Sequence, residues 1–163
     1  MSILQVIWEC IGSLIAIIGF GNLICVPKKY LFWAGLDAAF GWFFYRLVEN
    51  QTSSMLSGMF AGAVVISMIA HLFARVFKAP VTMFAITANL ILVPGAGMYR
   101  IVYYILLSDN EMSTYYFRQT LQAAGLIAAA IFLVNIVMEN IVRAYRAYAC
   151  YKGKKKDCNC DEI

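Results

Sequence analysis

The chain has 163 residues, of which 63% are hydrophobic and 13% charged, and its mean hydropathy is +0.74. This composition excludes an ordinary soluble domain, because the apolar residues occur in runs close to the thickness of a bilayer. The net charge of +4 does not indicate nucleic-acid binding, because the cations lie mainly at the borders of those runs and in the C-terminal tail.

The apolar runs predict an all-α integral membrane protein with about five transmembrane helices. The runs extend from Ile3 to Cys25, Leu31 to Val48, Met55 to Ala74, Val81 to Leu107 and Gln119 to Val142. The first run has no preceding Lys or Arg and no small-residue cleavage site after it, so we expect a permanent span rather than a signal peptide. We assign residues 1–148 to one polytopic membrane domain and residues 149–163 to a basic, cysteine-containing cytoplasmic tail.

The distribution of cations predicts that the N-terminus is outside and the C-terminus inside. With that orientation, only Arg46 and Arg118 fall among the outer loops and borders. The remaining border and tail cations fall on the inner side: Lys28, Lys29, Arg75, Lys78, Arg143, Arg146, Lys152, Lys154, Lys155 and Lys156. We expect a multi-pass protein, and we place it in the cell (plasma or inner) membrane.

The fourth run is interrupted by Pro94-Gly95-Ala96-Gly97 and followed by Arg100. Non-helical backbone at membrane depth is tolerated only where it lines a cavity or packs inside protein. A helix that restarts near Gly95 to Gly97 would present free N–H groups, which together with Arg100 favour a bound carboxylate. Glycines let the backbone approach a ligand or adopt positive φ, and Pro94 is expected to free a carbonyl near Leu90. The alternative is a plain proline kink with Arg100 neutralised internally.

Two further polar residues at depth are candidates for the same site. Asp37, in the second run, could bind a substrate ammonium or relay a proton, or it could form a structural ion pair with Arg100. Asn89 lies about one turn before the break and is either a ligand contact or a helix–helix hydrogen bond. His71 could titrate in proton coupling, although an interfacial or hydrogen-bonded helix residue is the simpler interpretation.

No pattern indicates an enzyme. The sequence has no nucleophile–base pair, Walker loop, dinucleotide fingerprint or zinc spacing, and we expect no cofactor or metal. Cys150, Cys158 and Cys160 lie in the tail assigned to the reducing side and are interpreted as free thiols, with a soft-metal site as the alternative.

Several segments together resemble the threonine/serine exporter family. They are Gly19-Phe20-Gly21, Val26-Pro27-Lys28-Lys29, Gly41-Trp42, Ala74-Arg75, Lys78-Ala79-Pro80 and Leu92-Val93-Pro94-Gly95-Ala96-Gly97-Met98-Tyr99-Arg100. The likeness covers about residues 14–142 and is closest to the short, YjjB-like membrane subunit. The segment from Val93 to Arg100 is its most specific part, which brings Tyr99 into the candidate substrate site.

The resemblance implies a subunit of a secondary transporter that exports small amino acids (threonine or serine) or related carboxylates. Its partner would be a larger YjjP-like subunit. One such half would form an incomplete pathway, so we expect hetero-assembly or homo-oligomerisation within the lipid bilayer. The alternative function is a non-transporting scaffold that stabilises a partner protein, with Arg100 and Asp37 as a structural pair.

Overall fold

The computed structural model describes residues 3–24 and 26–153, and this part of the chain is helical without a strand. Six α-helices and one 3₁₀ turn follow each other along the chain. Their bounds are α1 Ile3–Leu23, α2 Lys28–Thr52, α3 Met55–Phe77, α4 Val81–Asn89, the 3₁₀ turn Leu90–Leu92, α5 Gly95–Leu106 and α6 Asn110–Gly153. The all-α prediction is confirmed for these residues.

Short turns end most of the helices. Ser53 and Lys78, which follow α2 and α3, have φ of 53° and 50°, the left-handed conformation that commonly terminates a helix. Pro27 and Pro80 stand immediately before α2 and α4, where a missing N–H costs nothing. The Asp109 carboxylate accepts the Met112 N–H at 3.1 Å and thus caps the start of α6.

By length and composition, three helices in the described part of the chain could cross a membrane on their own: α1, α3 and α6. The pair α4–α5 meets the same test when taken together, which gives up to four candidate spans. The second expected span, Leu31 to Val48, lies in α2, which is long enough at 25 residues but is not among these candidate spans. Charged residues lower the apolarity of α2, namely Lys28, Lys29, Asp37, Arg46 and Glu49. The expectation of a multi-pass helical membrane protein therefore holds, whereas the number of five spans stays a prediction.

Small residues allow α1, α2 and α3 to pack closely. A Cβ added at Gly58 would lie 2.9 Å from the Tyr45 carbonyl oxygen, and one at Gly62 would lie 3.2 Å from the Gly41 oxygen. A Cβ at Gly35 would lie 3.3 Å from the Leu14 oxygen of α1. These contacts agree with small residues at helical spacing acting as membrane helix contacts.

The last helix is much longer than one bilayer crossing. The 44 residues of α6 correspond to about 66 Å of helix, whereas the hydrocarbon core is about 30 Å thick. The predicted boundary between residues 148 and 149 lies inside α6, so the helix continues into the segment assigned to the tail. Cys158 and Cys160 lie outside the described residues.

Candidate functional site: a cavity beside a broken helix

The fourth predicted span is broken between α4 and α5. The chain passes from α4 through the 3₁₀ turn and Val93-Pro94 into α5, and the two helices are bent by 48°. The Val93 N–H donates to the Leu90 carbonyl at 3.3 Å, and the first α-helical bond of α5 runs from the Met98 N–H to the Pro94 carbonyl at 3.2 Å. The predicted break is present, but its irregular residues lie up to Pro94, while Gly95 to Gly97 form the first turn of α5.

The break leaves backbone groups of both polarities without helical partners. The N–H groups of Ala96 and Gly97 have no backbone acceptor in the described part of the chain, as expected for the first turn of a helix. The carbonyls of Ile91 and Leu92 likewise have no backbone donor among these residues. A carbonyl was expected to be free near Leu90; Leu90 itself accepts the 3₁₀ bond from Val93, and the carbonyls without backbone donors are those one and two residues further along.

A cavity of about 430 Å³ lies directly against this break. Its walls come from α2, α3, the broken segment, α5 and α6. The lining residues are Trp42, Tyr45, Glu49, Met55, Leu56, Met59, Ile91, Leu92, Val93, Pro94, Gly95, Ala96, Gly97, Arg100, Gln119, Thr120 and Ala123. Four of the predicted site residues are therefore brought together on one wall: Pro94, Gly95, Gly97 and Arg100.

Arg100 lies on the cavity wall one turn into α5 and is exposed. Its guanidinium carbon is 5.2 Å from the ring centroid of Tyr116, which itself stacks on Tyr104 with the ring centroids 5.4 Å apart. No ion pair joins Arg100 to another described residue. A cation held against an aromatic face keeps its N–H donors available for an anion.

The two glycines of the break have different surroundings, and neither has positive φ. A Cβ at Gly97 would overlap the Thr120 hydroxyl, whereas a Cβ at Gly95 would meet nothing within 4 Å. Gly97 is therefore required for the close approach of α5 to α6. Gly95 leaves open space on the cavity wall.

Asp37, Asn89 and Tyr99 do not line the cavity. Asp37 is completely buried in the core and neither of its carboxylate oxygens has a hydrogen-bond partner among the described residues. The expected alternative of an Asp37–Arg100 ion pair is not formed, because one side chain is buried in the core and the other lies exposed on α5. A direct contact of Asp37 with substrate remains a prediction.

The side chains of Asn89 and His71 make specific hydrogen bonds. Asn89 donates to the Ala85 carbonyl of its own helix at 2.8 Å, and its buried Oδ1 has no partner in the described structure. His71 on α3 lies 2.8 Å from the Asn135 amide oxygen on α6, so it is a hydrogen-bonded residue between helices. Tyr99 is 70% exposed and stacks on Tyr103 along the outer face of α5.

An ion cluster that was not predicted from the sequence reaches the cavity. Arg46 of α2 contacts Glu9 of α1 through Nε at 2.7 Å and Nη2 at 2.9 Å, and it donates from Nη1 to Glu49 at 2.7 Å. Trp42 donates to Glu9 at 3.1 Å, and Tyr45 donates to Glu49 at 3.0 Å. The sequence does contain a pattern that indicates this cluster: the residues at positions 42, 45, 46 and 49 are polar or aromatic and share one face of a helix.

These features define a multi-pass, all-helical membrane protein with a helix broken beside a partly open cavity. Secondary transporters commonly build substrate sites in this way, with discontinuous helices that expose backbone dipoles. The sequence family described as Threonine/Serine exporter, ThrE, matches residues 9–137, and the chain belongs to this family. A family of transporters agrees with the expectation of a protein that is not an enzyme. No curated protein and no solved structure matches the chain.

Proposed function

We propose that the chain is the membrane subunit of a secondary exporter of small amino acids, with threonine and serine as the first substrates to test, or of related carboxylates. In this proposal it crosses the cell membrane five times through α1, α2, α3, the α4–α5 pair and α6, with the N-terminus outside. Membership of the threonine/serine exporter family supports transport of this class.

The observation that carries the proposal is the combination of unpaired backbone N–H groups and Arg100 on one cavity wall. Ala96 and Gly97 stand at the positive end of the α5 dipole, and Arg100 adds a full charge one turn later. A substrate carboxylate bound here would accept hydrogen bonds from groups that otherwise lack acceptors. The carbonyls of Ile91 and Leu92 supply acceptors on the neighbouring segment.

The exposed position of α5 supports assembly with a second subunit. In the described structure α5 has no buried residue, and it packs mainly against α6. One side of the cavity is therefore bordered by a helix with a free face. A larger YjjP-like subunit would cover this face and complete the pathway, and a second copy of the chain is the alternative occupant.

The test is efflux of labelled L-threonine and L-serine from cells that express the chain together with the larger subunit. We expect Arg100→Ala to reduce efflux about tenfold to a hundredfold, the effect of losing a hydrogen bond to a charged group. Arg100→Lys should retain part of the activity, because it keeps the charge but loses the planar fork.

Arg118→Ala is the matched control, since Arg118 is also an exposed cation of this region but lies outside the cavity lining. Membrane abundance and co-purification of the larger subunit are measured for each variant. Unchanged efflux in Arg100→Ala at normal abundance would remove Arg100 from the site. Loss of assembly together with efflux would favour the scaffold function.

A further inference from the structure

We propose that Glu49 binds the substrate ammonium, so that the cavity distinguishes amino acids from carboxylates that lack an amino group. The inference rests on the proposed transport function and assigns a second pole to the same cavity. It assigns to Glu49 of α2 the ammonium-binding role for which the sequence suggests Asp37 of the same helix.

Among the described residues that line the cavity, Glu49 is the only one with a carboxylate. Its Oε2 accepts from Arg46 at 2.7 Å and its Oε1 accepts from the Tyr45 hydroxyl at 3.0 Å. A carboxylate has about four acceptor positions, so two remain for a ligand. The side chain is 27% exposed, which leaves it accessible from the cavity.

The charge of Glu49 is not cancelled by its neighbour. Arg46 is shared with Glu9, which holds it through two nitrogen–oxygen contacts at 2.7 and 2.9 Å. The carboxylates of Glu9 and Glu49 and the guanidinium of Arg46 together leave a formal net charge of −1 on this side of the cavity. The α5 side carries Arg100 and the positive end of a helix dipole. The two walls therefore have opposite sign, which matches a molecule that carries both an ammonium and a carboxylate.

The Glu9–Arg46–Glu49 cluster also fixes the position of the Glu49 carboxylate. Tyr45 and Arg46 hold one oxygen each, so little side-chain freedom remains to be lost when an ammonium binds. Asp37 is the other acidic residue of α2 considered for this role. It lies outside the cavity and is completely buried, so it cannot receive an ammonium there without rearrangement of the helices.

The experiment compares L-serine with glycerate, which has a hydroxyl in place of the ammonium. Both labelled compounds are tested for transport by proteoliposomes that contain the complete two-subunit assembly. We expect the wild type to prefer serine, and Glu49→Gln to reduce serine transport about tenfold to a hundredfold, as for loss of a charged hydrogen-bond partner. Glycerate transport should stay unchanged or increase, so the serine-to-glycerate ratio falls.

Glu9→Gln is the matched control, because Glu9 contacts the same Arg46 but does not line the cavity. It leaves Arg46 to compensate Glu49, so it should lower the serine-to-glycerate ratio, but by less than Glu49→Gln does, because the carboxylate that lines the cavity is kept. Glu49→Asp, which keeps the charge, should retain a preference for serine. Abundance and thermal unfolding temperature in detergent identify variants that fail to fold, and a poorly folded Glu49→Gln is replaced by Glu49→Ala, which also removes the charge and should lower the ratio.

The outcomes separate this inference from the proposed function. Wild-type assemblies that transport neither compound, nor threonine, would overturn the proposed function itself. Transport of serine with a ratio that Glu49→Gln leaves unchanged would overturn only the role of Glu49. An equal fall of the ratio in Glu9→Gln would show that both carboxylates act through Arg46, and would also reject direct binding by Glu49.

Discussion

Gly97 of α5 packs directly against the Thr120 hydroxyl of α6, with no space for a Cβ atom between them. This contact fixes the cavity wall, because Gly97 carries one of the unpaired N–H groups and Thr120 lines the same cavity. The position of the proposed carboxylate site relative to α6 therefore depends on the absence of a Cβ atom at residue 97.

We expect Gly97→Ala to lower the free energy of unfolding by about 1–3 kcal/mol, the usual cost of overpacking a close contact. Efflux should fall as well, because α5 must move away from α6. Adding Thr120→Ala removes the overlapping hydroxyl and should restore both properties, since the remaining contact to the Thr120 Cβ is 3.5 Å. Thermal unfolding in detergent and threonine efflux measure the two effects.

Gly95→Ala is the control for that experiment. A Cβ at Gly95 meets nothing within 4 Å, so the fold should tolerate it. Normal stability of Gly97→Ala, or failure of the double variant to recover, would contradict the importance of the close approach. Loss of efflux in Gly95→Ala at normal stability would instead indicate that the added methyl group occupies substrate space.

The break in the fourth span is predictable from sequence, because proline lacks an N–H and Gly-x-Gly weakens a helix wherever the surroundings permit. The location of the carbonyls that lack a donor is not predictable from sequence, since the 3₁₀ bond that Leu90 accepts depends on local relaxation of the backbone. The role of Glu49 is also inaccessible to sequence alone. It requires α1 to place Glu9 against Arg46, a contact between residues 37 positions apart.

Arg46 should contribute strongly to stability. Its side chain and that of Glu9 are 20% and 26% exposed, so replacement by Met leaves two partly buried carboxylates facing each other without a cation. We expect a loss of about 2 kcal/mol in the free energy of unfolding, between the values typical of exposed and buried pairs. Arg46→Lys should be more stable than Arg46→Met but less stable than the wild type, because lysine keeps the charge but cannot form the two-nitrogen contact with Glu9.

Arg143→Ala provides the comparison. Arg143 and Glu139 form a 3.7 Å pair whose side chains are 78% and 68% exposed, so its removal should change stability by about 0.5 kcal/mol or less. Denaturation in mild detergent, followed by intrinsic Trp fluorescence, gives both values. Equal stability of Arg46→Met and wild type would contradict a structural role for the cluster.

Asp37 presents a different case, because its completely buried carboxyl has no hydrogen-bond partner among the described residues, and an unpartnered carboxyl at such a position is costly. We expect Asp37→Asn, which keeps the shape but cannot ionise, to retain normal abundance and to lose at least about tenfold in efflux if the carboxyl acts in transport. Ser67→Ala is the control, since Ser67 is also fully buried and its hydroxyl lacks a partner in the described structure. Normal efflux in Asp37→Asn would remove Asp37 from the transport pathway.

The proposed topology can be tested at the turns between helices. Single cysteines are introduced at Ser53, Lys78 and Asp109 in a variant whose five native cysteines are replaced by serine. A membrane-impermeant maleimide should label positions 53 and 109 on intact cells, because these turns are assigned to the outside. Position 78 should react only after permeabilisation, since its turn is assigned to the inside with the border cations. Labelling of positions 53 and 78 from the same side would exclude α3 as a complete crossing, and labelling of 78 and 109 from the same side would make the α4–α5 pair a re-entrant loop.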